Sequence, residues 1–265
     1  MTTSRFGKAA LSLSAGGLVF FSVSTHAEST WTFAGTSNGT TAGNVTCTSG
    51  CSQTDATLYT AAFSSSTPIG SNSTFTNTTT LLTAWQGGLG VNDGASPEHA
   101  IDNALRLEMV LLRFDKAVSL TSLNIGWTQS DSDITVLAFN GTMPTDATAA
   151  TAAADSVTSK TIGTLATPMA DATKGWKLVG SYSNAGTGNE NINTGGFTSS
   201  WWIVSAYNST IGGGQGWGTS DYFKLYSVTG SKATNGVSEP GSLALAAMAL
   251  FGVAAMRRRA RSRAI

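Results

Sequence analysis

Apolar and polar positions alternate with a period of two over much of this chain, the pattern of strands whose successive side chains face opposite sides of a sheet. The runs are WTF (Trp31 to Phe33), LYTAAF (Leu58 to Phe63), LRLEMVLLRF (Leu105 to Phe114), SLNIGW (Ser122 to Trp127), DITVLAF (Asp133 to Phe139), WKLVGSY (Trp176 to Tyr182), WWIVSAY (Trp201 to Tyr207) and YFKLYSV (Tyr222 to Val228). Clusters of Gly, Asn, Ser and Asp such as NDGASP and NSTIGGGQGWG separate them and read as turns. Eight or so short strands with turn-rich links predict an all-β body, a β-sandwich or jelly-roll-like domain over residues 28–236.

The pattern also predicts faces. Leu123, Ile125 and Trp127 align, as do Ile134, Val136 and Ala138, and then Trp201 and Ile203. Leu105 to Phe114 is apolar on both faces for much of its length, which predicts a central strand. Trp201 and Trp202 point to opposite faces, so a one-sided sheet would bury at most one of them. Thr145 to Val157, TDATAATAAADSV, is the sole helix candidate of the body and reads equally as a loop, because it has almost no large apolar residue to bury. Residues 34–80 are low in complexity and predict strands with wide, weakly packed loops, or partial disorder.

Both ends depart from the alternation. Residues 1–27 place Arg5 and Lys8 before an apolar stretch, Ala9 to Val23, and a small-x-small site at Thr25-His26-Ala27. These are the parts of a secretory signal peptide, with a mature chain expected from about Glu28. Near the other end, Gly241 to Met256 is uncharged and mostly Ala, Leu and Met, just long enough to cross a membrane as one helix if the flanking arginines snorkel. Arg257, Arg258, Arg259, Arg261 and Arg263 follow, and positive charge is retained on the cytoplasmic side. The expected topology is an exported body, a single transmembrane helix and a short basic tail inside.

Charge is informative once the ends are set aside. The chain has 15 basic and 15 acidic residues. Seven of the basic ones belong to the two ends, leaving 8 against 15 acidic residues between Glu28 and Glu239, a net charge of −7. An acidic body with no Lys/Arg cluster argues against nucleic acid as a partner. Charged residues are 11% of the chain, well below the roughly one quarter usual for soluble domains, so Ser, Thr, Asn and Gly supply the polar surface. Cys47 and Cys51, the two cysteines, stand four positions apart in CTSGC and are expected to form a local disulfide in an exported chain.

The segment 237–265 is similar to the PEP-CTERM sorting signal of bacterial exosortase substrates: Ser238, Glu239 and Pro240, then the apolar helix, then the Arg-rich end. The first Pro of that family's Pro-Glu-Pro is replaced by Ser238. The resemblance implies recognition and cleavage by a membrane-embedded, exosortase-type processing enzyme, and a product at the cell envelope, cell surface or extracellular matrix. Pro240 fits such a role physically, since it keeps Glu239 out of helical geometry and the chain just outside the membrane extended. Within the body, GLGVNDGASPEHAIDNALRLEMVLLRFD (Gly88 to Asp115) resembles a pattern in the bodies of some PEP-CTERM surface proteins, a likeness that extends to DSDITVLAF and the closing DYFKL.

Candidate chemistry lies in two places. Asp93, Glu98, His99, Asp102 and Glu108 surround a turn leading into a strand. The carboxylates Asp93, Glu98, Asp102 and Glu108 are hard oxygen ligands suited to Ca²⁺, His99 fits zinc better but is the single His after signal removal, and the plain alternative is hydrogen bonding within the loop. Asp131 and Asp133 flank Ser132 and could share a cation, act as an acid/base pair, or solvate a turn. No G-x-S-x-G surrounds any Ser, so nothing marks a hydrolase triad. The expected function is a non-enzymatic exported surface or matrix protein with no required cofactor. The alternative is a carbohydrate-binding or Ca²⁺-dependent adhesin module, using the Asp93 to Glu108 loop or the late aromatics Trp201, Trp202, Tyr207, Trp217 and Tyr222 on a polysaccharide.

Overall fold

The computed structural model of the chain describes residues 28–37, 40–41, 47–49, 56–93, 99–141, 144, 148–166, 175–218 and 220–232. The expected signal peptide, the sorting segment 237–265 with Ser238, Glu239, Pro240 and its arginines, and the residues Cys51 and Glu98 lie outside the described residues.

The described chain is all-β, an antiparallel sheet of 14 strands with two short helices. In order the strands are β1 (Ser29–Thr32), β2 (Thr40–Thr41), β3 (Cys47–Ser49), β4 (Leu58–Ser65), β5 (Phe75–Asn77), β6 (Leu82–Trp85), β7 (Gly88–Val91), β8 (Ile101–Asp102), β9 (Glu108–Ser130) and β10 (Ile134–Asn140). Helices α1 (Ala149–Asp155) and α2 (Ile162–Ala166) follow, then β11 (Gly175–Tyr182), β12 (Gly188–Asn191), β13 (Ser199–Ala206) and β14 (Asp221–Lys232). Neighbouring strands run β11-β10-β13-β9-β14-β7-β6-β2, with β4 and β12 also paired to β9, and β1 and β8 to β14.

Strand β9 organises the fold. The sequence pattern predicts two strands here, Leu105 to Phe114 and Ser122 to Trp127, but the polar stretch between them stays extended and one strand of 23 residues results. Val118 and Leu120 keep the alternation going through it, both wholly buried. Asp115 ties its start to the neighbouring chain, accepting the Thr57 amide at 2.8 Å. The first half of β9 pairs with β4 and β13 and is buried on both faces from Met109 to Leu112, as the central-strand expectation requires. The second half pairs with β14 and β12 and buries one face, through Leu123 and Ile125.

Trp127 leaves that face. The pairing with β14 shifts between Lys224 and Leu225, so that Trp127 faces Lys224 while Ile125 faces Leu225 and Gly126 is the extra residue. A one-residue bulge reverses the alternation beyond it, which carries the indole outward to lie beside the Lys224 ammonium, 4.9 Å from ring centroid to Nζ.

Trp201 and Trp202 are both buried, at 3% and 0% exposure. Strand β13 lies between β9 and β10 with both of its faces covered, so the one-sided-sheet expectation does not apply to it. Trp202 donates its indole N–H to the Ser199 carbonyl at 2.9 Å, which satisfies its polar atom inside the core. Burying a side chain of this size contributes on the order of 2–3 kcal/mol.

Helix α1 falls inside the predicted helical stretch, and α2 is an addition to it. The chain around them caps an edge: Ser159 N donates to Phe75 O, and Phe75 N to Lys160 O, both at 2.9 Å. Covering β5 in this way removes exposed ladder donors and acceptors that would template aggregation. Among the described residues no helix is long and apolar enough to cross a membrane, and Gly241 to Met256 lie outside them.

Candidate functional site

Three aspartates meet where β9 ends and β14 begins. Asp131 follows β9 and bridges to Asp221, the first residue of β14, while Asp133 immediately precedes β10. One carboxylate oxygen from each lies within 4.8 Å of the others. The sequence marks Asp131 and Asp133 as a pair, with a turn among the places weighed for it; in the structure they sit in the turn between β9 and β10, and Asp221 completes the group.

Backbone ties fix the turn. Asp131 O accepts the Tyr222 amide and Asp133 O the Tyr207 amide, each at 3.0 Å. The carboxylates then serve as local acceptors: Asp131 Oδ1 takes the Ser132 amide at 2.8 Å, Asp133 Oδ1 the Asn184 amide at 2.7 Å, and Asp221 Oδ1 the Asp133 amide at 2.9 Å. Asn103 closes the group from below. Its Nδ2 donates to Asp221 Oδ2 at 2.5 Å and to Tyr207 O at 2.7 Å, while its Oδ1 accepts the Asp221 amide at 2.9 Å.

Asp221 is fully buried and Asp133 nearly so, whereas Asp131 is partly open. Burial pushes the Asp221 carboxyl up to about 7, helped by the charges of Asp133 and Asp131 and opposed by the hydrogen bonds from the Asp133 amide and Asn103. Asp133 is also raised, first by burial, against the pull of the Asn184 amide. Among the described residues no Lys, Arg or His forms an ion pair with any of the three. Two buried carboxyls with no side-chain cation have two ways to lower their energy, a bound proton or a bound metal ion. Hard oxygen donors of this kind suit Ca²⁺, which takes 6–8 oxygens at about 2.3–2.6 Å, so the three side chains would supply part of its shell.

The other predicted ligands lie nearby but are arranged differently. Glu108 is buried, and its Oε2 accepts the Asp102 amide at 3.1 Å. Asp102 Oδ1 in turn accepts the Ala104 amide at 3.0 Å, and Asp93 sits 3.3 Å from Arg106 Nε. Burial, followed by the charges of Asp102 and Asp93, pushes the Glu108 carboxyl well above its usual range. Asp102 thus plays the hydrogen-bonding part weighed for this loop. His99 packs its ring against Trp85, centroids 4.0 Å apart, and among the described residues its Nδ1 has no partner.

Three stretches far apart in the sequence converge here. HAIDN supplies Asp102 and Asn103, DSDITVLAF supplies Asp131 and Asp133, and DYFKL supplies Asp221. Of the late aromatics, Trp201, Trp202 and Tyr207 are core, while Trp217 and Tyr222 stay partly exposed. Cys47 lies in β3, and its expected partner Cys51 is outside the described residues. Compared with family models, with curated proteins and with solved structures, the chain matches none.

Proposed function

We propose that the chain is a non-enzymatic, exported cell-surface or extracellular-matrix protein, held in the membrane by its C-terminal helix and processed there by an exosortase-type enzyme. The observation that carries this reading is the order of parts in residues 237–265: Ser238-Glu239-Pro240, an uncharged apolar segment, then the arginines. An apolar rod of that length is stable in lipid, and the guanidinium groups hold its end on the inner side. The all-β body, finished as a β-sandwich or jelly-roll-like domain with few charged residues, suits an extracellular setting. A reporter active only in the cytoplasm, fused after Ile265, tests the topology. Activity is the expected result, and a reporter found outside the inner membrane overturns it.

A second reading, a carbohydrate-binding or Ca²⁺-dependent adhesin module, is supported by the Asp131, Asp133 and Asp221 group, whose charge no side-chain cation offsets among the described residues. Thermal melts with and without Ca²⁺, followed by a glycan array, test it. A shift with a sugar hit supports the module, and neither leaves the structural surface role alone.

A further inference from the structure

The alanines of α1 leave a space that larger residues would fill. Ala150, Ala153 and Ala154 form one wall of a groove of about 410 Å³ over the outer side of β4 and β9, with Leu111 and Ala61 against it. A surface helix usually seals its sheet with Leu or Ile. This one offers only methyl groups, and the groove stays open beside it.

The rest of the lining is rich in donors. Arg113 of β9 stands directly opposite Tyr59 of β4, with its guanidinium carbon 3.9 Å from the ring centroid. Arg106 pairs with Asp93, and among the described residues no ion pair joins Arg113 to a carboxylate. Asn77 spends its Oδ1 on the Thr79 amide at 2.9 Å, which leaves its amide N–H groups available. Thr79 Oγ1 accepts the Ala62 amide at 3.2 Å, which leaves its hydroxyl proton available. Among the described residues no acidic side chain lines the groove. A ligand that fits must bring acceptors, and opposite Arg113 it must bring negative charge.

We infer that this groove binds a single carboxylated sugar, with the carboxylate on Arg113, one negative charge against one guanidinium. The planar guanidinium, already stacked on Tyr59, presents a pre-oriented fork of N–H groups that matches a carboxylate in bidentate fashion. Asn77 and Thr79 donate to ring or hydroxyl oxygens, and the methyl groups of the alanines meet the C–H face of the sugar. A groove of this volume lies in the range of small-ligand sites, roughly 300–1,000 Å³. The inference rests on the reading of the body as exported among polysaccharides and names the ligand class for its binding-module form.

The test uses the full-length chain in detergent and calorimetric titration with galacturonate, its methyl ester, inorganic phosphate and glutamate. Binding of the free acid, at least about tenfold weaker for the ester and for Arg113→Gln, is expected, since each change removes the charge-assisted pair. Ala150→Trp, at an exposed helix position, closes the groove and abolishes binding while the circular dichroism stays unchanged. Equal affinity for acid and ester, no effect of either substitution, no binding at all, or tighter binding of phosphate or glutamate each overturns the inference. None of these outcomes touches the topology reporter, so failure here is distinct from failure of the export reading.

Discussion

Asn103 and Asp221 hold each other through two reciprocal hydrogen bonds, side chain to side chain at 2.5 Å and Asp221 amide to Asn103 Oδ1 at 2.9 Å, across 118 residues of chain. Both residues are buried, and Asn103 extends the contact to Tyr207 O. The pair joins the loop after β8 to the first residue of β14 and the chain end of β13, so it locks three separate parts of the sheet. Asn103→Ala leaves the Asp221 amide, its carboxyl oxygen and the Tyr207 carbonyl without this partner. The expected destabilisation is about 3 kcal/mol, read as a lower denaturant midpoint with an unchanged slope.

The raised carboxyls predict a pH dependence of unusual sign for an acidic protein. A carboxyl whose folded value lies above its unfolded one binds more protons when folded, so its contribution is full below the unfolded value and is lost as pH rises through the folded value. For Asp221 that window runs from about 4 to about 7. Glu108 and Asp133 shift in the same direction. In metal-free buffer the melting temperature is therefore expected to rise as pH falls from 8 towards 5. Asp221→Asn flattens part of that slope, and a slope of opposite sign would contradict the assignment.

A divalent cation should act against the same protonation. If Ca²⁺ takes the place of the proton among Asp131, Asp133 and Asp221, its effect is largest at pH 8 and fades by pH 5. At a hundredfold excess over Kd it stabilises by about 2.7 kcal/mol. Asp131→Asn, which removes the most open of the three carboxylates, should reduce the shift, whereas Asp93→Asn should leave it. Differential scanning calorimetry with Ca²⁺ or chelator reads both.

The GLGV stretch has a steric reason for its glycines. A Cβ on Gly90 would fall 1.7 Å from His99 O, and one on Gly88, whose φ is +113°, would fall 2.2 Å from Leu225 O. These close approaches seat β7 against β14 and the chain entering β8. Gly90→Ala is expected to destabilise by more than about 3 kcal/mol, a size reserved for substitutions that force backbone apart. Gly218→Ala, where no atom lies within 4 Å, should stay within about 0.5 kcal/mol.

The strands with long apolar runs are legible in the sequence. Strands β10, β11, β13 and β14 begin within two residues of their apolar runs, because alternation and large side chains both mark them. The join within β9 was hidden because DKAVSLT places polar residues on its solvent side, and only pairing with β13 and β14 keeps it extended. Alternation alone aligns Trp127 with Leu123 and Ile125, because the bulge at Gly126 leaves no mark in a period-two pattern. At the acidic group, Asp131 and Asp133 were visible as near neighbours. Asp221 was not, since it reaches the Asp133 amide from 88 residues away through strand register alone. His99 showed the converse: a residue type that suggests a ligand, packed here as a ring on Trp85.

Intact-mass measurement of the protein recovered from cells that contain an exosortase-type enzyme tests the central claim most directly. The account predicts a chain that starts near Glu28 and ends in the neighbourhood of Ser238 to Pro240, lacking the arginines. A mature chain that still runs to Ile265 would contradict it.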